Sequence, residues 1–150
     1  MTEVGPVGPL FLSDLHALDK MLVTATVVLE AEGEPFEGQV AVARVIRNRM
    51  ERWHQTVSQV VLYVRQFSAW NHDGPRREKL STLFTSPAWA TAERAVAAAF
   101  SVSPDPSGGA THYLDAAETW RERVDGSLPS WFSADRVTAR IGRHTFLVAA

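Results

Sequence analysis

Between Ser13 and Met50 apolar residues return every three or four positions, and the run is interrupted once, at Gly33-Glu34-Pro35. Leu15, Leu18, Leu22, Ala25 and Leu29 make one stripe of an amphipathic helix. That stripe predicts a helix with Ser13 as N-cap and Asp14 in its first turn, ending near Glu30–Glu32. Gly33 suits the left-handed position after a helix, and Pro35 suits the first turn of the next. The second helix carries Val40, Ala41, Val45, Ile46 and Met50 on its buried side.

The rest of the chain adds shorter pieces. A third helical segment is expected over Val57–Val64, a surface loop over Asn71–Arg77 and an alanine-rich helix over Ser86–Phe100. Turn residues fill Pro104–Gly109. Short strands are expected at Ala110–Leu114, Arg136–Ile141 and His144–Val148, the last two joined by a Gly142–Arg143 hairpin turn. The fold class is therefore α+β, predominantly helical, with a small β-hairpin element. The Gly- and Pro-rich residues 1–12 are expected to be a flexible arm, and 13–150 a single domain.

A formal charge of −2 offers no electrostatic capture of nucleic acid or anionic lipid. The absence of cysteine excludes disulfides, thiolate zinc sites and a cysteine nucleophile. The N-terminus lacks the basic and apolar regions of a signal peptide, and no stretch approaches the length of a membrane span. A substrate outside the membrane then implies delivery by a phage tail, holin-type release or packaging in a particle.

Several residues could carry chemistry. Glu30, at the end of an apolar helix, faces the negative pole of the helix dipole among desolvating side chains. Both effects favour the protonated carboxyl, as a general acid requires. On spacing alone a solvated acidic junction of Glu30, Glu32, Glu34 and Glu37 is the better fit, with Glu34 and Glu37 serving the start of the second helix. Gln66, Phe67, Ser68, Ala69 and Trp70 offer an aromatic and hydroxyl surface suited to sugars, or a piece of core. Ser68 lacks the glycine-flanked elbow of an acyl-transfer nucleophile. The Gly108–Tyr113 and Ile141–Phe146 segments echo one another and supply His112 and His144. No tight metal-ligand spacing accompanies these histidines, which favours structural or substrate contacts over zinc. Trp131 adds an aromatic near a turn.

Taken together, these segments resemble the SleB/CwlJ-like, spore-cortex-lytic type of cell-wall hydrolase. The similarity lies in the run from Glu30 to Ala43 with Asn48-Arg49, in Gln66–Trp70, in Gly108–Tyr113, and in Pro129–Trp131 followed by Ile141-Gly142 and His144. They occur in the family's order, over roughly Leu22 to Phe146. The resemblance implies a lysozyme-like domain of the goose-lysozyme and lytic-transglycosylase type. Its substrate would be peptidoglycan glycan strands, cleaved at the MurNAc–GlcNAc bond to leave 1,6-anhydro-MurNAc ends. It implies Glu30 as the catalytic acid, with Gln66, Ser68, Trp70, Thr111, His112, Tyr113, Trp131 and His144 as substrate contacts, and no metal or organic cofactor.

The sequence departs from the family pattern at Glu32, where arginine is usual, at Ala69, where cysteine is usual, and at Leu147, where tyrosine is usual. Glu32 places further negative charge near Glu30. Ordinary glycoside hydrolysis uses two carboxylates, and Asp73 and Asp115 are the candidates for a second. Two other readings stay open. One is an N-acetylmuramoyl-L-alanine amidase with zinc on His112, His144 and a carboxylate. The other is a non-catalytic wall-binding component of a particle.

Overall fold

The computed structural model describes residues 8–62, 82–115 and 129–149. Four helices are described: α1 (Ala17–Ala31), α2 (Phe36–Trp53), α3 (Val57–Val61) and α4 (Ala88–Ala99). Three strands follow: β1 (His112–Asp115), β2 (Val137–Ile141) and β3 (His144–Leu147). This is the expected α+β fold, predominantly helical. The expected loop over 71–77 and the end of the third expected helix lie outside the described residues.

α1 is the central helix, and α2, α3 and α4 all pack on it. Its middle, Val23–Leu29, is buried on every side, and it is rich in Val and Thr, which are poor helix formers. Tertiary burial overrides that propensity, since each fully buried Val or Leu contributes roughly 1.5–3 kcal/mol. The buried threonines satisfy their hydroxyls within the helix: Thr24 Oγ1 donates to Lys20 O at 2.7 Å and Thr26 Oγ1 to Leu22 O at 2.8 Å. A one-sided stripe was the wrong expectation for a helix buried all round. Leu18, placed on the buried face by that stripe, lies in the first turn and is 74% exposed.

The helix ends also differ from expectation. Ser13 is not the N-cap of α1: Leu12–Asp14 forms a separate 3-10 turn, and His16 takes the N-cap position. Gly33 does not adopt positive φ; among the non-glycine residues described, His54 does, at φ 52, closing α2. The described part of the expected arm, residues 8–12, is docked on the body. Leu10 is buried, its N–H donates to Glu51 Oε2 at 2.7 Å, and Leu12 N–H donates to Phe100 O at 2.9 Å. Arg47 stacks over the Phe11 ring at 5.5 Å.

α4 packs on α1 and α2 through small side chains, Ala92, Ala95 and Ala99, which permit close approach. The free carbonyls at its C-terminal end are met by arginines from α2. Arg44 and Arg47 donate to Ala99 O at 2.9 and 3.0 Å, and Arg47 also to Ser101 O at 2.8 Å.

The sheet is antiparallel in the order β1-β3-β2. Gly142 and Arg143 make the expected two-residue turn; Gly142 takes φ +57 at its first central position, the pattern of a type II′ hairpin. A bulge between Val137 and Ala139 frees Thr138, whose hydroxyl donates to Ser107 O. Thr138 comes so close to Gly108 that a Cβ there would sit 3.0 Å from its own Cβ, at a left-handed φ of +69. One apolar core runs through all of this, from Leu10 through the helices to Phe146.

Candidate active site

Glu30 is the penultimate residue of α1, half-buried at the helix's C-terminal end. The connection to α2 is short and tied: Glu32 N–H returns to Val28 O, and Glu34 N–H to Ala31 O. Glu34, given only a helix-starting role by the sequence, turns its carboxylate into the protein instead. It is buried against the β2–β3 turn, where Arg143 N–H donates to Glu34 Oε1 at 2.8 Å. His144 Nδ1 stands 3.5 Å from the same oxygen, and the Arg143 guanidinium lies 3.8 Å from Oε2. On the other side of that guanidinium, Asp115 Oδ2 is 3.6 Å away.

The strands bring the predicted residues together in two groups. Tyr113 pairs in register with Phe146, and its ring lies against His144 at 4.8 Å. His112, on the neighbouring strand position, packs at a tilt against Trp131 at 4.8 Å and meets Trp53 edge-on at 6.0 Å. Successive strand residues point to opposite faces, so Tyr113 and His112 serve different clusters. Thr111 is 1% exposed; its hydroxyl pairs with His112 Nδ1 at 3.0 Å and accepts Ala149 N–H at 3.1 Å. His144 is 5% exposed. Both were expected as sugar contacts; in the structure Thr111 lies beside His112 and His144 beside Tyr113. The rings of His112, Tyr113 and Trp131 are half-buried. Gln66, Ser68 and Trp70 lie outside the described residues, as does Asp73.

Beneath β1 sits Arg49, which sequence reading had only as part of a motif. It is buried, donates from Nε to Thr111 O at 2.6 Å and stacks over Trp53 at 5.4 Å. Burial lowers its pKa to about 10, with Tyr113 acting in the opposite sense. Burial, and then the nearby Arg49 charge, push His112 down to about 4, so its ring is neutral at neutral pH. A signal for Arg49 existed: it falls on the stripe of Val42 and Ile46 at helical spacing.

Asn48 and Asp105 organise the loop before β1. Asn48 Nδ2 donates to Asp105 Oδ2 and to Ala110 O, each at 2.9 Å. The Asp105 carboxylate also accepts Ser107 N–H at 2.8 Å and Gly109 N–H at 3.0 Å, with Arg44 3.6 Å away. Gly108 and Gly109 both take positive φ, which is why that turn carries two glycines. Among the described residues no group of three or more His, Asp or Glu could hold a metal ion, and no helix is long and apolar enough to cross a membrane.

Comparison with known proteins points the same way. Residues 33–147 match the family described as Cell Wall Hydrolase. The spore cortex-lytic enzyme of Halalkalibacterium halodurans is 36% identical over 130 residues, covering 85% of this chain and 34% of that protein. The corresponding enzyme of Oceanobacillus iheyensis is 35% identical, covering 85% of this chain and 41% of that one. The chain thus spans well under half the length of these curated relatives. Among solved structures, the catalytic domain of the germination-specific lytic transglycosylase SleB from Bacillus anthracis superposes with TM-score 0.61 at 29% identity, covering 89% of this chain and 96% of that one. The catalytic domain of the Bacillus cereus SleB protein gives TM-score 0.62 at 30% identity, covering 89% and 93%. The fold is the lysozyme-like one of these neighbours.

Proposed function

The chain belongs to the cell wall hydrolase family, and on that premise we propose that it is a peptidoglycan lytic transglycosylase with Glu30 as its only acid–base group. The observation that carries this reading is the position of Glu30. It is half-buried at the C-terminal end of a buried helix, one short turn before the contact between Glu34 and the β2–β3 hairpin. The protonated carboxyl donates to the glycosidic oxygen as the bond to MurNAc C1 breaks and an oxocarbenium-like centre develops. The resulting carboxylate takes the proton from the MurNAc 6-hydroxyl, whose oxygen closes on C1. One carboxylate completes the cycle, and its proton is restored at the end.

The nearby acids support the single-acid reading. Among the described candidates, Glu34 and Asp115 are both buried and both face Arg143, which favours leaving them out of water activation. His112, Tyr113 and Trp131 offer ring faces for pyranose stacking. Gln66, Ser68 and Trp70 complete the groove in this proposal, by resemblance alone.

The amidase reading finds less support. His112 pairs with Leu147 and His144 with Asp115, at opposite ends of the β1–β3 ladder, and their rings belong to separate clusters. The test is turbidity loss and soluble muropeptide release from purified walls by the wild type and by Glu30→Gln. Lysis by the wild type and none by a folded variant is expected. A wild type that binds walls without lysing them would make this a binding component.

A further inference from the structure

We propose that Glu34 is the positioning residue of this site, whose buried carboxylate clamps the β2–β3 turn to the α1–α2 connection and so sets His144 and Tyr113 relative to Glu30. The inference deepens the reading of Glu30 as the acid and rests on it.

A buried carboxylate is costly unless its oxygens are satisfied, and this one is satisfied almost wholly by the hairpin. Its side chain is 4% exposed, Oε1 takes the Arg143 N–H at 2.8 Å, and Oε2 faces the Arg143 guanidinium at 3.8 Å. The turn is pressed onto the group. A Cβ at Gly142 would meet Glu34 Oε1 at 2.8 Å and its Cδ and Oε2 at 3.0 Å, so a side chain there and the carboxylate exclude one another.

The other end of the clamp is fixed to the helices. Glu34 N–H donates to Ala31 O at 3.0 Å, and Gln39 Nε2 donates to Glu34 O at 3.3 Å. One residue before Gln39 in α2, a Cβ at Gly38 would meet Ile141 Cγ2 at 3.3 Å, so helix and hairpin approach closely beside the clamp. The arrangement also reaches β1, because Asp115 lies 3.6 Å from the Arg143 guanidinium and pairs in register with His144. Three segments far apart in sequence are thereby referred to one carboxylate four residues after Glu30.

Stability alone is a weak reason for such a group, since an apolar side chain of similar size serves a buried contact as well or better. What the carboxylate adds is direction. It accepts from a particular backbone N–H and so fixes the register of the turn against the helix connection. Its own burial keeps it from delivering a proton to a sugar, which separates its role from that of Glu30.

The test uses the full chain with Glu34→Gln and Glu34→Ala, soluble glycan strands as substrate, and amide hydrogen exchange read by NMR. The glutamine keeps an oxygen that can accept the Arg143 N–H, so its kcat should stay within about threefold of wild type. The alanine should lose about tenfold or more in kcat with KM little changed, as a misplaced site does. In the alanine variant the Arg143 amide should lose protection while the α2 core keeps it. Equal collapse of both variants would make Glu34 a proton carrier and overturn the proposal. An alanine variant with full kcat, or with Arg143 still protected, would overturn it too. If the alanine variant fails to fold, Glu34→Gln set beside Glu30→Gln decides: activity in the first and none in the second upholds the clamp, and loss in both sinks it. An inert wild type would instead sink the reading of Glu30, and the Arg143 exchange then decides the clamp alone.

Discussion

The backbone N–H of Arg143 donates to the carboxylate of Glu34 at 2.8 Å across 109 residues of sequence. That contact predicts an unusual cost for Gly142→Ala. The added methyl meets the carboxylate and also forces a left-handed φ of +57 on a residue with a side chain. The loss should be about 2–3 kcal/mol, read from urea midpoints, of which about 1 kcal/mol is backbone strain. In the Glu34→Ala background only the strain remains, so the cycle should show coupling of the two sites. Strict additivity would mean that the carboxylate and the turn are energetically independent.

His112 predicts a pH dependence of stability. Its pKa falls from 6.5 to about 4 in the folded chain through burial first and the Arg49 charge second. Between those values the unfolded chain binds the proton and the folded chain does not, so stability rises with pH across that window. The contribution is complete above 6.5, declines as pH falls, and is gone below about 4. Denaturant midpoints taken from pH 4 to 7 should rise less steeply for His112→Asn than for wild type. Parallel curves would assign the dependence to other groups.

Arg49→Lys should destabilise the chain by about 1–3 kcal/mol although the charge is kept. Its Nε serves Thr111 O at 2.6 Å while its plane covers Trp53 at 5.4 Å, and an ammonium cannot do both. Arg49→Met, which removes the charge, should raise the proton affinity of His112, followed by NMR, toward the ordinary histidine value. An unchanged His112 titration would remove Arg49 from the account of that residue.

How much of this was legible in the sequence follows from how local each cause is. The core residues of α2 and the Gly142–Arg143 turn were readable, because helical spacing and turn chemistry act over a few residues. Leu18 was misplaced because a stripe presumes a helix with one wet face, whereas α1 is surrounded. Gly33 was given a left-handed role that His54 takes at the end of the next helix. The position of Glu30 at a helix end was legible, and the acid role proposed for it rests on the joint occurrence of motifs. The burial of Thr111 and His144 was not legible, since it depends on how β1 and β3 pair. The role of Glu34 was the least legible of all. Its neighbours, Gly33 and Pro35, explain it as the start of a helix, and its partner lies at the far end of the chain.

Lytic activity should survive chelation, because proton transfer through Glu30 and attack by a sugar hydroxyl require no metal. Incubation with EDTA before a turbidity assay should leave the rate unchanged. Complete loss, restored by zinc alone, would favour an amidase that uses His112, His144 and a carboxylate.

The central claim is that a single carboxyl, Glu30, cleaves the glycan strand with the MurNAc 6-hydroxyl as nucleophile. That hydroxyl is tethered to the reacting ring and has a high effective concentration, whereas water needs a second, open carboxylate to activate it. The most direct measurement is mass spectrometry of the fragments released from purified sacculi. The account predicts 1,6-anhydro-MurNAc ends, one water lighter than hydrolysed ends. Fragments carrying only reducing MurNAc ends, or free stem peptides with intact glycan, would contradict it.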